Sequence, residues 1–134
     1  MTPFPYSVQI NDGLRRAREL MIQHEVRHLP VLRDRELVGI LTDRDLKRAL
    51  DPDLGLPQKD ELFVSDVYVP EPYVVDSSTP LDVVLEEMTA RHVGSVLVTK
   101  HGRLTGIFTA TDGCRLYYQH LRKLFPARPS EVVA

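Results

Sequence analysis

The chain has 134 residues, a formal net charge of -2 and one cysteine. Acids and bases are interspersed, so no global positive field is available to attract nucleic acid or an anionic membrane. No apolar run approaches the length of a bilayer span, and no signal-peptide hydrophobic stretch occurs at the start. The lone Cys114 rules out an internal disulfide and, within an apolar-periodic segment, is expected to be a small buried hydrophobe rather than a nucleophile. We therefore expect a globular protein of the cytoplasm.

The first half of the chain predicts the order strand, helix, strand, strand, helix. Asn11 and Asp12 are good cap types for the first helix, whose apolar face is Leu14, Ala17 and Met21. Two apolar runs close together then predict a hairpin. The predicted elements are a strand over 6–9, a helix over 13–25, strands over 29–33 and 37–41, and a helix from 42 to 50.

The second half repeats this order after a stretch rich in proline, glycine and charge. A helix start is predicted at residues 79–80, with Thr79 as the cap and Pro80 at the first helical position. The predicted apolar face of that helix is Leu81, Val84, Leu85 and Met88. The predicted elements are a strand over 72–75, a helix from 79, strands over 95–99 and 104–108, and a helix over 110–124. The predicted divisions are a repeat over 1–50, a linker over 51–66, a repeat over 67–125 and a tail over 126–134.

A 67-residue internal repeat underlies both halves. Gly39-Ile40-Leu41-Thr42-Asp43-Arg44-Asp45 returns as Gly106-Ile107-Phe108-Thr109-Ala110-Thr111-Asp112. Residues 5–45 align with 72–112 without a gap and share 13 identities in 41 positions. Each half carries one sheet face that it cannot bury alone, so the halves should pack together. The predicted fold class is α/β (α+β), with two β-α-β-β-α repeats packed about a pseudo-two-fold axis.

The repeat resembles a known family in its motif. His28-Leu29-Pro30-Val31-Leu32 followed by Leu37-Val38-Gly39-Ile40-Leu41-Thr42-Asp43-Arg44-Asp45-Leu46 is similar to the cystathionine β-synthase (CBS) domain. The second copy, from Val93 to Asp112, resembles the second member of a tandem CBS pair, or Bateman module. The resemblance covers nearly the whole chain.

This resemblance implies a regulatory module rather than an enzyme. Such pairs form discs that often dimerise, and their clefts bind adenine nucleotides (AMP, ADP, ATP) or S-adenosylmethionine. The implied partners are an adenine nucleotide, a second copy and an unknown regulated protein, without nucleic acid or membrane. No cofactor is required beyond the nucleotide as ligand.

The repeated Thr and Asp suit an adenylate chemically. A carboxylate can accept from the two ribose hydroxyls, and a helix start offers free N–H groups to a phosphate. By resemblance, Asp45 and Asp112 bind ribose, and Thr42 and Thr109 bind phosphate. A Thr-x-x-Asp helix start is also nearly a capping box, in which the threonine and aspartate would serve only to cap the helix. The two roles are compatible.

The residues around the two motifs differ in charge. The resemblance implies an adenine pocket at the entry of each first strand, formed by Thr2, Phe4, Pro5 and Tyr6 in one repeat and by Val69, Glu71 and Tyr73 in the other. Further phosphate contacts are expected from Arg27, His28 and Arg44, with Lys47 and Arg48 either joining them or forming a solvated helix face. We therefore expect the Asp45 site to be preferred by a charged nucleotide over the Asp112 site.

Three alternative functions remain open from the sequence: an S-adenosylmethionine-binding sensor, an interaction scaffold and an α/β enzyme. An interaction scaffold would keep the fold and dimer without ligand affinity, and an α/β enzyme would need an acid/base set that the repeat does not supply. His24 and His28 are four apart, but no third ligand is spaced to complete a metal site, so none is predicted. The stripe Leu116, Tyr117, Leu121 and Leu124 on the last helix is either core or a dimer seam.

Overall fold

The computed structural model describes residues 2–3, 6–51 and 62–126. The elements of the first half are β1 (Thr2–Pro3), β2 (Val8–Gln9), α1 (Leu14–His24), β3 (His28–Arg33), β4 (Glu36–Thr42) and α2 (Asp43–Ala49). Those of the second half are α3 (Val64–Val67), β5 (Val69–Pro70), β6 (Val74–Asp76), α4 (Leu81–Arg91), β7 (Ser95–Lys100), β8 (Arg103–Thr109) and α5 (Ala110–Leu124). The predicted order of two β-α-β-β-α repeats is confirmed.

Two helix starts differ from the prediction. The N-cap of α1 is Gly13, without a side-chain hydrogen bond, because the Asp12 carboxylate instead accepts from the Gln9 N–H at 2.8 Å. The N-cap of α4 is Pro80 rather than Thr79, again without a side-chain hydrogen bond. In addition, α3 occupies the end of the segment predicted as a linker, and its start is joined to α1 by a bridge between Gly13 and Phe63.

The two repeats exchange their first short strands. One sheet has the order β2-β3-β4-β5 and the other β1-β8-β7-β6. Val69 and Pro70 pair with Ile40 and Gly39 of the first repeat. The same register joins Thr2 and Pro3 to Ile107 and Gly106 of the second repeat. This reciprocal pairing follows the 67-residue offset and gives the pseudo-two-fold arrangement.

Each repeat has its own core, and a third cluster joins the sheets. Ile40 of one sheet packs with Leu97 and Ile107 of the other, and Leu97 is completely buried. The first core is Val8, Leu14, Ala17, Met21, Leu29, Val31, Leu41, Leu46, Ala49 and Val64. The second is smaller, with Val84, Met88, Val96, Val98 and Phe108. The clefts between the repeats are therefore held by apolar packing from both sheets.

Several apolar side chains of the second repeat are more exposed than predicted. Val84 and Met88 are buried, but Leu81 and Leu85 of the same helix are 42% and 38% exposed. On α5, the exposed residues include Leu116, Tyr117 and Leu124, so the core interpretation of that stripe is wrong. Cys114 is also exposed, and its expected burial is wrong because α5 presents that side to solvent. Among the helices of the described residues, none combines the length and apolar character needed to cross a bilayer.

Replacing Gly39 by valine is expected to lower the free energy of unfolding by about 1–3 kcal/mol, since crowding a packed site costs that much. A Cβ at Gly39 would lie 2.5 Å from the Val69 carbonyl oxygen and 2.8 Å from Cε2 of Tyr68. The exchanged strand β5 would have to move. Chemical denaturation measures the loss, and Gly94→Val is the matched control because a Cβ added there would meet no atom within 4 Å. Equal stabilities for the two variants would contradict the prediction.

Candidate functional site between the repeats

Each repeat ends its hairpin with a threonine that caps the following helix. Thr42 Oγ1 accepts from the Asp45 N–H at 3.1 Å and donates to Asp45 Oδ2 at 2.7 Å. Thr109 Oγ1 accepts from the Asp112 N–H at 3.3 Å, while the Thr109 N–H donates to Asp112 Oδ2 at 2.9 Å. The capping role that the sequence suggested is therefore confirmed at both helices. It fixes the orientation of both carboxylates at the positive end of a helix.

Asp112 is the more constrained of the two acids. It is 7% exposed, and its Oδ1 accepts from Nη1 of Arg115 at 2.9 Å. Burial raises the pKa of this carboxyl, but the hydrogen bonds from Thr109 and the Arg115 guanidinium outweigh that effect and leave the pKa below its usual value. The carboxylate is therefore ionised at neutral pH and acts only as an acceptor. Asp45 is half-buried.

A cleft of about 370 Å³ lies beside Asp112 and contains residues from both repeats. That volume lies within the range of small-molecule sites. The first repeat contributes Tyr6 and the turn between α1 and β3, and the second contributes the end of β8 and the start of α5. The lining residues are Tyr6, Glu25, Val26, Arg27, His28, Ile107, Thr109, Thr111, Asp112 and Arg115.

The placement of Arg27 and His28 differs from the sequence-based grouping, which set them beside Asp45. Both line the cleft of Thr109 and Asp112. The reason is the pseudo-two-fold packing, which turns the α1–β3 segment of one repeat towards the α5 start of the other. The backbone of Arg27 still adjoins α2, since its carbonyl accepts from the Asp43 N–H at 2.8 Å. Arg27 and His28 therefore line the cleft of Asp112, while Arg44 and Arg48 are the basic residues that flank Asp45 in the sequence.

His28 lies where the charges of both motifs meet. Burial lowers its pKa, and the charge of Arg27 lowers it further. The negative charges of Asp112, Asp43 and Asp45 raise the pKa of His28, but the net change remains a lowering. His28 is therefore neutral at pH 7, with an imidazole that can take up a proton when more negative charge arrives.

A flat aromatic surface borders the same cleft. The ring of Tyr6 stacks on the imidazole of His24, with ring centroids 3.5 Å apart and an interplanar angle of 12°. Tyr6 lines the cleft and remains 47% exposed. In the second repeat, the equivalent Tyr73 ring lies 4.6 Å from the guanidinium carbon of Arg91.

By the repeat relation, the position equivalent to the Asp112 cleft lies around Asp45. The 67-residue offset places Arg44 and Arg48 there, at the positions that Thr111 and Arg115 occupy in the Asp112 cleft. Gly94 and Ser95 stand in place of Arg27 and His28. Gly94 supports α5 as Arg27 supports α2, because its carbonyl accepts from the Ala110 N–H at 2.9 Å. The two equivalent positions share these backbone contacts but carry different side chains.

The remaining predicted adenine-pocket residues are less defined by the structure. Phe4 and Pro5 lie outside the described residues, and Thr2 is placed only as a backbone pair of Ile107. Val69 is 44% exposed in β5, and Glu71 follows it with a left-handed φ of 56°. Their roles towards a ligand stay predictions.

Sequence reasoning did not assign several residues of the Asp112 cleft to a site. Arg115 had a detectable signal, because it lies one helical turn after Asp112. The others required the packing of the repeats to be known; they are Glu25, Val26, Ile107 and Thr111. Within residues 6–51 and 62–126, no group of three or more His, Cys, Asp or Glu side chains is arranged to hold a metal ion.

Comparisons with known proteins agree with this geometry. The family model described as "CBS domain" matches residues 1–52 and 64–117. The crystal structure of CBSX2 in complex with AMP is 29% identical, with a TM-score of 0.74, and the match covers 91% of this chain and 95% of that one. The CBS domain pair of protein MJ0100 in complex with 5′-methylthioadenosine and S-adenosyl-L-methionine is 25% identical, with a TM-score of 0.75 over 87% of this chain and 90% of that one.

Longer proteins contain similar segments. An inosine-5′-monophosphate dehydrogenase of Korarchaeum cryptofilum is 33% identical over 109 residues, which are 79% of this chain and 21% of that enzyme. The chain spans about a fifth of the length of the first curated relatives that it matches. The repeat, the exchanged strands and the two-part match together show that this chain belongs to the CBS domain family, as a tandem pair.

Proposed function

We propose that this chain is a non-catalytic regulatory module that binds an adenosine ligand in the Asp112 cleft between its two repeats. The observation that carries the proposal is the convergence of an ionised, nearly buried carboxylate, two arginines and an exposed aromatic ring on one cleft. Asp112 would accept from the ribose hydroxyls, Tyr6 would stack on the base, and Arg27 would meet the phosphate. Two relatives of this fold are crystallised with AMP or with S-adenosylmethionine, which supports the ligand class.

The charges of the cleft favour a ligand with little negative charge. Arg27 and Arg115 are balanced by Asp112 and Glu25, while His28 is neutral. A triphosphate would bring several negative charges to a cleft whose own charges cancel, so we place AMP ahead of ADP and ATP. S-adenosylmethionine, whose sulfonium is positive, is the second candidate, and Glu25 is the group that would favour it.

Arg115 gives the ligand a way to alter the protein. In the structure it holds Oδ1 of Asp112, one of the two oxygens that a ribose diol would use. A bound ligand would displace this guanidinium and offer it a phosphate instead. Because Arg115 lies on the exposed face of α5, its movement would change the surface that a regulated protein meets. A ligand that binds one of these two arrangements of Arg115 more tightly than the other would meet the thermodynamic requirement for signalling.

The assembly is also a proposal. We infer a homodimer that acts on an unknown regulated protein in the cytoplasm. The similar segment within an inosine-5′-monophosphate dehydrogenase supports an enzyme as the kind of protein that is regulated. The competing scaffold function keeps the dimer and lacks affinity for adenosine ligands. Thermal unfolding separates the two, since a ligand that binds only the native state raises the melting temperature. A rise with AMP supports the sensor, whereas none with AMP, ATP or S-adenosylmethionine supports the scaffold.

We expect AMP binding to take up protons through His28, and affinity to rise as pH falls from about 8 towards 6.5. The lowered pKa leaves His28 neutral in the free protein, and an arriving phosphate would raise that pKa by its negative charge. Calorimetry in buffers of different ionisation enthalpy counts the protons taken up. Because the AMP phosphate titrates near pH 6 itself, the measured quantity is the difference between wild type and His28→Gln. An unchanged proton count in that variant would contradict the assignment.

The same shift predicts a pH dependence of stability without ligand. As the pH falls, His28 takes up a proton in the unfolded chain, where its pKa is near 6.5, at a higher pH than it does in the folded protein. The contribution of His28 to stability is therefore present above about pH 6.5 and is lost as the pH falls through the lowered folded value. As the pH falls below about 6.5, the free energy of unfolding of wild type should therefore decrease more steeply than that of His28→Gln.

A further inference from the structure

A cavity of about 130 Å³ lies between α4 and the sheet of the second repeat. Core side chains form its wall, namely Val75, Val84, Val96, Val98 and Phe108. Its rim is the turn from β6 into α4, with Asp76, Ser77, Thr79 and Leu81. The cavity is therefore apolar inside, and an apolar cavity of this kind accepts an apolar group.

In the first repeat, the equivalent space belongs to Val64 of α3. Val64 has no exposed surface and packs within the first core. Five residues of that core are the counterparts, 67 positions earlier, of the five wall residues; they are Val8, Ala17, Leu29, Val31 and Leu41. The hairpin strands of the two repeats also pair in the same register. The cavity thus corresponds to the position that Val64 fills in the first repeat.

Backbone hydrogen bonds hold the Val64 segment against the turn from β2 into α1. The Val64 N–H donates to the Asp12 carbonyl at 2.8 Å, and the Ser65 N–H donates to the Ile10 carbonyl at 2.9 Å. The counterparts of these two acceptors are rim residues, Thr79 and Ser77. Among the described residues, neither of their carbonyls accepts a backbone hydrogen bond of this kind. The rim can therefore receive a segment as the first repeat receives α3.

We propose that the segment 129–134 of this chain, which lies outside the described residues, returns to the second repeat and seats Val132 in this cavity. Residues 129–134 follow residues 62–67 by the same 67 positions that relate the repeats. Val132 lies one position after the counterpart of Val64 and is the same residue type. Both segments come after the last helix of their repeat, so each repeat would be closed by the segment that follows it. The inference does not rest on the proposed function.

The chain is long enough for this return. Val132 is eight residues beyond the end of α5 at Leu124, a distance that extended chain spans with up to about 26–29 Å. α5 itself, with 15 residues, is about 22 Å long. Its first turn lies against the wall, because a Cβ added at Gly113 would be 3.8 Å from Cζ of Phe108. A segment that ran back along the whole of α5 would still reach the cavity.

Thermal unfolding of the full chain compares two neighbouring valines. Val132→Ser should lower the Tm by about 3 °C or more, because a buried valine contributes more than the stability change that moves the Tm of such a chain that far. Val133→Ser is the matched control and should lower the Tm by less than about 1 °C, since Val133 would take the place of the exposed Ser65. An unchanged Tm in Val132→Ser, or equal losses in both variants, overturns the proposal.

A pair of engineered cysteines tests the location. Phe63, the residue before Val64, forms a bridge with Gly13, whose counterpart is Pro80. Glu131 precedes Val132, so Pro80→Cys and Glu131→Cys would place their Cα atoms about 4.5–5.5 Å apart, within disulfide range. Both changes are made with Cys114→Ser, because Cys114 is exposed. The control pair replaces Pro80→Cys by Thr89→Cys, an exposed position about two turns further along α4.

Mass spectrometry of peptides after oxidation measures both pairs. We expect the 80–131 disulfide to form within one chain at least about tenfold faster than the 89–131 disulfide, because docking raises the effective concentration of the two thiols. Equal rates overturn the proposed seat. A disulfide between two chains would show that the segment occupies a second copy, which overturns the return within one chain. A small apolar molecule retained by wild type in native mass spectrometry would overturn the assignment of the cavity to this segment.

Discussion

Replacing Asp112 by asparagine is expected to weaken AMP binding by about 30-fold or more. Removing one partner of a nearly buried charged contact costs about 2–5 kcal/mol, and every 1.4 kcal/mol is a factor of ten in affinity. Asp112 is ionised and faces the cleft that Arg27 and Tyr6 also line. The amide keeps the shape of the side chain but removes the charge and one acceptor that the ribose diol would use.

Asp45→Asn is the matched control for this variant. It makes the same change in the same helix position of the other repeat, outside the Asp112 cleft, and should leave the first binding event nearly unaltered. The Asp112 carboxylate also accepts from the N–H of Thr109, the N-cap of α5, so thermal unfolding must show that Asp112→Asn is folded at the titration temperature. A larger loss of affinity in Asp45→Asn would return the preferred site to the position that the charge pattern of the sequence had suggested.

Leu97→Ala is expected to lower the free energy of unfolding by about 2–5 kcal/mol, the range for leucine truncation in a packed core. Leu97 has no exposed surface and bridges the two sheets with Ile40 and Ile107. The truncation leaves a cavity at the contact on which the Asp112 cleft depends. We therefore also expect weaker AMP binding in a variant that is still folded.

Chemical denaturation measures this loss, and Val83→Ala is the control. Val83 is 49% exposed on α4, so its truncation should change the free energy of unfolding by less than about 0.5 kcal/mol. If Leu97→Ala and Val83→Ala were equally stable, the apolar cluster between the sheets would not be the contact that holds the repeats together.

The sequence predicted the repeated unit because its signals are local. The apolar hairpin strands, the Thr at each helix start and the 67-residue identity each depend on neighbouring residues alone. The 110–124 helix and the caps at Thr42 and Thr109 are confirmed for that reason. Local signals also placed Asp45 and Asp112 at equivalent points of the two repeats.

The site could not be assembled in the same way, because its residues come from both repeats. Arg27 and His28 are adjacent in sequence to the elements that lead to Asp45, yet they line the cleft of Asp112. The strand exchange of Thr2–Pro3 and Val69–Pro70 has only two residues on each side, too short for a periodic pattern. The exposure of Leu81 and Leu85 was missed for a related reason, since an apolar helix stripe does not reveal whether it faces the core or a partner.

Calorimetric titration of the purified protein with AMP, after a check that no ligand was carried through purification, tests the central claim most directly. The proposed sensor should bind AMP saturably at the Asp112 cleft, with Asp112→Asn losing this event and Asp45→Asn keeping it. ATP should bind more weakly than AMP. Flat titrations of the folded wild type with AMP, ATP and S-adenosylmethionine would contradict the sensor and favour the scaffold.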